Sequence, residues 1–296
     1  MATFKDYYEL TKPRLSFLSV FTALVAYWMA PKTVLYAASF PYFIALVFGV
    51  ALCAAGAAVL NQWMEFSADA LMERTKNRPI PLKHILPQQA LIFGIILSLG
   101  GLFVLVLNTT LLSTGLAFLT IASYLWLYTP LKKISPINTL VGAIPGALPV
   151  LIGWSAATGS LEMLGWLLFA LLFFWQMPHF YALAWLYKED YASAGFYMLS
   201  RDDSDGSQVA QKSFVYGLIL FVVSLLPSFL GFASGLYLSL ACLLNLFLLM
   251  KAYSFLCAGK GNGDRRLSAQ KLFLATLLYL PLILAILLLD HLFLGF

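Results

Sequence analysis

Cys53-Ala54-Ala55-Gly56-Ala57-Ala58-Val59-Leu60-Asn61-Gln62-Trp63-Met64-Glu65-Phe66-Ser67-Ala68-Asp69 begins as a small-residue apolar run and ends as a polar one. The first half suits a helix packed closely on another inside a bilayer, because small side chains let two backbones approach. In the second half Asn61, Glu65 and Asp69 fall at i, i+4 and i+8, which places three oxygen-bearing side chains in one stripe. A stripe of oxygens suits a hard divalent cation such as Mg2+. The competing reading is a solvated helix end whose acids pair with Arg74 and Arg78, but that end has no need of an asparagine in phase with two acids. Between Asn61 and Arg78 stand three acids and three bases, in a chain that is only 10% charged. The bases Arg74, Lys76 and Arg78 predict an anion beside the metal, since an arginine can grip phosphate oxygens bidentately. The helix is expected to break at Pro79 and open a loop to about Pro87.

Outward from this stretch the chain is apolar throughout. It has 296 residues, 61% of them hydrophobic, and a mean hydropathy of +0.87, too apolar for a soluble globular protein. Apolar runs predict nine transmembrane helices, at 15–31, 42–64, 88–107, 111–128, 138–156, 161–186, 212–232, 235–252 and 271–290. The expected fold is therefore an all-α polytopic membrane bundle, one domain over residues 1–296. With the N-terminus in the cytoplasm, 17 of the 18 Lys and Arg fall on the cytoplasmic side, Lys260 among them, and only Lys32 lies outside. That asymmetry predicts an N-in, C-out topology. The net charge of +5 then reflects topology and an anionic ligand; no nucleic-acid-binding pattern is visible. Cys53, Cys242 and Cys257 show no metal-site spacing and no disulfide framework. The first run, after Lys12-Pro13-Arg14, lacks a convincing cleavage site and reads as a retained helix.

Other segments carry chemistry of their own. Lys12 and Arg14 either anchor the topology or face the anion site. Lys132 and Lys133, after Tyr128-Thr129-Pro130-Leu131, are open to the same two readings. Gly142, Pro145, Gly146, Pro149 and Gly153 in the fifth span predict a bent helix beside a cavity, with close packing as the alternative. His179 is the one histidine well inside a span; such a residue is either structural or functional. Glu189 and Asp190 close the sixth span as Glu65 and Asp69 close the second, which suggests a weak internal repeat with two acidic clusters on one cavity. The polar loop Arg201–Gly206 can serve as a mobile lid.

Taken in order, these motifs resemble the UbiA superfamily of intramembrane prenyltransferases. The likeness runs through Leu10-Thr-Lys-Pro-Arg14, Asn61 to Asp69 with Met72-Glu-Arg-Thr-Lys-Asn-Arg78, Tyr128 to Lys133, and Asn138-Thr139 with Gly142 and Gly146. Trp175-Gln176-Met-Pro178-His179 points to the heme-directed subfamily, and Asp190-Tyr191-Ala-Ser-Ala-Gly195 completes the set. The family usually has Asp at the position of Glu65, and often another at Ser67. The resemblance implies a Mg2+-dependent transfer of farnesyl from farnesyl diphosphate to a vinyl group of heme B, giving heme O. It implies one or two Mg2+ ions on Asn61, Glu65 and Asp69 with help from Asp190, these four acting catalytically. Substrate contact is implied for Lys12, Arg14, Arg74, Arg78, Lys132, Lys133, Asn138, Trp175, Gln176, His179, Lys188 and Tyr191. The C–O bond ionises to an allylic cation, the vinyl group attacks, and water completes the product; an apolar chamber keeps other water away. A multi-pass protein of a bacterial inner membrane follows, its active site towards the cytoplasm, with lipid around it and heme-modifying or terminal oxidase proteins downstream. Two other readings stay open: a relative with an aromatic quinone-precursor acceptor, and an ion or anion transporter. The transporter would place its acids at midplane in broken helices, whereas these lie at one face.

Overall fold

In the computed structural model residues 2–259 and 263–294 are described. Lys260, one of the predicted cytoplasmic bases, lies outside them. The described residues form helices and connecting turns without a strand. In order these are α1 (Phe4–Leu10), α2 (Pro13–Met29), α3 (Phe40–Asp69), α4 (Pro87–Asn108), α5 (Leu111–Ala122), a π-helical turn (Ser123–Tyr128), α6 (Thr129–Leu131) and α7 (Asn138–Thr158). They continue as α8 (Met163–Leu186), α9 (Lys188–Ser193), α10 (Ser207–Phe229), α11 (Gly235–Cys257) and α12 (Arg265–Leu294). Every predicted span corresponds to a helix. Among the described residues eight helices are long and apolar enough to cross a membrane; the counterpart of the first predicted span, α2, is shorter at 17 residues.

Proline and polar caps set where helices begin. Pro13 and Pro87 stand at the first positions of α2 and α4, where the missing N–H would have had no helical partner. At α1, Thr3 Oγ1 accepts from the Asp6 amide at 3.3 Å while an Asp6 oxygen accepts from the Thr3 amide at 2.8 Å. These Thr3 bonds, with His84 Nδ1 at 3.0 Å, lower the Asp6 carboxyl to about 2.

The chain divides into two compact units, residues 1–161 with 192–196, and residues 162–191 with 197–296. In the first, α3 lies against α4 and α7 lies against α2 and α5. The face of α4 that is buried carries Ala90, Gly94, Ser98, Gly101 and Leu105. Its exposed face carries Ile92, Ile96, Leu99, Phe103 and Leu107. Small residues inside and large apolar residues outside are what a helix in lipid requires, since close approach rather than water exclusion drives the packing. A Cβ on Gly101 would stand 2.7 Å from the Cys53 amide nitrogen, so the small-residue run of α3 does serve a close helix crossing.

Helix α7 is continuous from Asn138 to Thr158 with Pro145 and Pro149 inside it, and most of its residues are buried. A Cβ on Gly153 would collide with the Ala23 carbonyl of α2. Gly153 thus serves the close-packing alternative. One expectation is corrected: α3 ends at Asp69 rather than running on to Pro79. The Asp69 carbonyl, left without a helical partner, accepts the Thr75 hydroxyl at 2.8 Å, and turns follow. In the second unit α8, α10, α11 and α12 pack in a ring of neighbours: α8 on α10, α10 on α11, α11 on α12 and α12 on α8.

Candidate active site

Asn61, Glu65 and Asp69 lie buried along one face of the last turns of α3, 1%, 5% and 1% exposed. Ser67, two residues from Glu65, is exposed and points off that face. Each buried donor meets a different cation of the same unit. Lys12 Nζ donates to Asn61 Oδ1 at 3.0 Å. Lys132 Nζ lies 2.8 Å from Glu65 Oε1 and donates to Oε2 at 3.0 Å. Arg78 donates to an Asp69 carboxylate oxygen at 2.6 Å.

Local backbone geometry delivers these three bases. Lys12 sits in the left-handed region (φ 46°, ψ 60°) between α1 and α2, a conformation costly for a residue with a Cβ. Gln62 on α3 donates to the Leu10 carbonyl at 2.6 Å, which ties that junction to the stripe. Lys132 follows a π-helical turn. Pro130 cannot donate to the carbonyl four residues back, and the Thr129 amide reaches five residues back to Tyr124 instead. That extra residue sets the register of Thr129 and Lys132. The Thr129 hydroxyl donates to the Tyr124 carbonyl at 2.9 Å and accepts from Asn61 Nδ2 at 3.1 Å. Lys132 lies over the Tyr128 ring at 4.6 Å and the Phe196 ring at 5.5 Å.

The two half-buried lysines respond oppositely. Burial, then the Arg78 guanidinium, pushes Lys12 down to about 7 against the pull of Glu65. Burial also opposes the charge on Lys132, but Tyr128 and the Glu65 carboxylate outweigh it and raise its pKa.

The remaining predicted residues are spread over both units. Arg14, Arg74 and Lys133 are exposed. Asn138 is buried and its side-chain amide donates to the Ser135 carbonyl at 2.7 Å, at the start of α7. In the second unit Trp175, Gln176 and His179 share the middle of α8. Trp175 Nε1 donates to the Thr276 carbonyl at 2.8 Å, and Gln176 Nε2 to the Leu172 carbonyl at 3.2 Å. The His179 ring stacks on Trp175 at 5.3 Å and bonds through Nδ1 to Thr276 Oγ1 at 2.9 Å. Asp190 and Tyr191 are half-buried on α9. Lys188 donates to the Asp203 carbonyl at 2.7 Å, while Asp203 is itself buried and accepts the Val209 amide at 2.9 Å. These bonds pin the predicted lid loop to the start of α10.

Sequence reasoning missed Thr129 and Thr276. The signal for Thr129 was Pro130 directly after it; Thr276, in an apolar helix, gave none.

Among the described residues no three His, Cys, Asp or Glu side chains group as a metal cage. Magnesium does not need one, because it is commonly held by one or two carboxylates with substrate phosphates completing its shell. Glu65 Oε1 is buried and ion-paired with Lys132 at 2.8 Å without a directed hydrogen bond, so its lone pairs face a cation and the carboxylate stays charged. The donor set fits a hard cation.

Residues 19–277 match the UbiA prenyltransferase family. The chain belongs to that family. A UbiA relative from Opitutus terrae, called protoheme IX farnesyltransferase, is 44% identical over 295 residues, covering 99% of this chain and 97% of the relative. Among solved UbiA-like folds, one described with digeranylgeranylglyceryl phosphate synthase superposes with a TM-score of 0.78 at 17% identity, covering 97% of each chain. A UbiA homologue from Archaeoglobus fulgidus, bound to GPP and Mg2+, superposes with a TM-score of 0.68 at 15% identity, covering 95% of this chain and 99% of its own.

Proposed function

We propose that this protein transfers the farnesyl group of farnesyl diphosphate to a vinyl group of protoheme IX (heme B), giving heme O and diphosphate. The observation that carries the reading is the one-to-one pairing of Asn61, Glu65 and Asp69 with Lys12, Lys132 and Arg78. A metal-and-diphosphate site needs both partners of each pair. The relative named for this reaction supports the acceptor.

Mg2+ held by Asn61, Glu65 and Asp69 would supply Lewis-acid charge to the leaving diphosphate. A solved homologue bound to Mg2+ supports that choice. The chain's own residues do the rest. Lys12, Arg78 and Lys132 neutralise the diphosphate as the C–O bond breaks, and the stripe keeps them oriented towards it. Thr129 turns the Asn61 amide so that its oxygen, not its nitrogen, points to Lys12 and the metal position. The aromatic surroundings of Lys132 exclude the water that would quench an allylic cation. His179 and Trp175 orient the heme, and Asp190 is assigned to a second ion from the resemblance. With the cytoplasmic bases of the positive-inside pattern, the protein sits N-in, C-out in a bacterial inner membrane, its diphosphate site on the cytoplasmic side. Its product passes to heme-modifying or terminal oxidase proteins.

The test is product analysis by mass spectrometry on purified protein given farnesyl diphosphate and Mg2+ with heme B, 4-hydroxybenzoate and a naphthoate as competing acceptors. Heme O is expected. A farnesylated 4-hydroxybenzoate or naphthoate, with heme left unmodified, would overturn the acceptor. Asp69→Ala is expected to abolish transfer while expression and membrane insertion persist; activity near wild type would remove the metal assignment.

A further inference from the structure

His179 holds its Nδ1 2.9 Å from Thr276 Oγ1, across from α8 to α12. The Thr276 hydroxyl also lies 2.6 Å from the Phe273 carbonyl oxygen, to which it can only donate. A hydroxyl has one proton. With that proton on the Phe273 carbonyl, Thr276 Oγ1 meets His179 as an acceptor, so the imidazole carries its proton on Nδ1. Nε2 is left with a bare lone pair and has no hydrogen-bond partner among the described residues. The ring is half-buried. Its plane is held as well: Trp175 stacks on it at an interplanar angle of 24°, and Phe273 lies 4.8 Å from it. Trp175 in turn donates to the backbone carbonyl of the same Thr276. One residue of α12 thus fixes both an indole and an imidazole of α8.

We propose that Thr276 is a positioning residue for the acceptor: it locks His179 in the Nδ1–H tautomer and so makes Nε2 the electron-pair donor that meets the iron of the heme substrate. The proposal rests on the heme reading above. The physical reason is general. An imidazole that ligates a metal almost always gives its other N–H to an oxygen, which fixes the tautomer and ring orientation and raises the basicity of the ligating nitrogen. Without the hydroxyl, His179 loses the acceptor that selects its tautomer, and Nε2 is no longer held as the lone-pair nitrogen.

The experiment uses full-length protein in detergent, titrated with heme B and followed by Soret absorbance, alongside steady-state kinetics. Wild type is expected to give the spectrum of a histidine-ligated heme. Thr276→Val, which keeps the shape and removes the hydroxyl, is expected to lose that spectrum and weaken heme binding by about 10- to 100-fold. Its KM for heme rises in step, while its KM for farnesyl diphosphate stays at the wild-type value. Thr276→Ser restores both. A merely structural role for Thr276 would instead lower the unfolding temperature and move both KM values together. Should Thr276→Val fail to accumulate, Thr276→Ala, which also removes the hydroxyl, carries the same expectation. A wild-type spectrum and heme KM in the folded variant overturn the proposal. A wild-type protein that neither binds nor farnesylates heme overturns the acceptor reading, and the proposal with it.

Discussion

Asn61 has two ends that face different partners. Its amide nitrogen donates to Thr129 and its oxygen accepts from Lys12, so the oxygen is held outward as a donor for a cation. Glu65 does the same with charge. Its Oε2 takes the Lys132 hydrogen bond and its Oε1 has none, although both oxygens lie within 3.0 Å of the ammonium. Glu65→Gln keeps the shape and removes the charge. It should lower kcat about a hundredfold or more, and cost about 3 kcal/mol in stability by leaving Lys132 buried without a counter-charge. Turnover and chemical denaturation check the two parts; wild-type kcat would sink the role of Glu65. Lys12 combines a strained backbone with a needed side chain. Lys12→Gly should therefore raise stability by about 1 kcal/mol, because glycine has no Cβ to strain. The same change should raise KM for farnesyl diphosphate roughly tenfold, the worth of one charged hydrogen bond. A fall in both stability and affinity would show that the backbone at 12 carries no strain. The stripe itself was readable in the sequence, since i, i+4, i+8 is a property of the helix alone. The hydroxyls of Thr129 and Thr276 were not, because their partners lie 68 and 97 residues away and tertiary approach chooses them.

At the level of the element, the π-helical turn Ser123–Tyr128 matters most. It exists because Pro130 cannot make the regular helical bond, and it decides which way Thr129 and Lys132 point. Pro130→Ala permits an ordinary α-turn and rotates both side chains out of register. Activity should fall on the order of a hundredfold while the unfolding temperature holds or rises, measured on the same preparation. Equal activity would mean that the turn plays no part in placing Lys132. Helix positions were legible from hydropathy because a span must satisfy its backbone internally and offer lipid an apolar face. Helix ends were less so. Helix α3 was expected to run to Pro79 and stops at Asp69, where the Thr75 hydroxyl takes the carbonyl; up to that point Asn61, Glu65 and Asp69 each find a cation. The glycines and prolines of α7 were open to a bend or to close packing; Gly153 serves close packing, because a Cβ there would meet the α2 backbone.

On the scale of the whole molecule, fold and cofactor separate. The buried carboxylates of Glu65 and Asp69 are compensated by Lys132 and Arg78, groups of the chain itself. Structural zinc sites depend on their metal for folding; this family member should not. Chelation of divalent cations should abolish transfer and leave the unfolding temperature in detergent unchanged within error. A large fall would mean that the metal is part of the fold. The same pairing has a thermodynamic corollary. In the proposed site, magnesium alone would contend with Lys12, Arg78 and Lys132 for the same oxygens, whereas a diphosphate would give those cations somewhere else to go. Under the proposed function, metal and prenyl donor should then be heterotropic partners: each tightens the other, and by linkage the factor is the same in both directions.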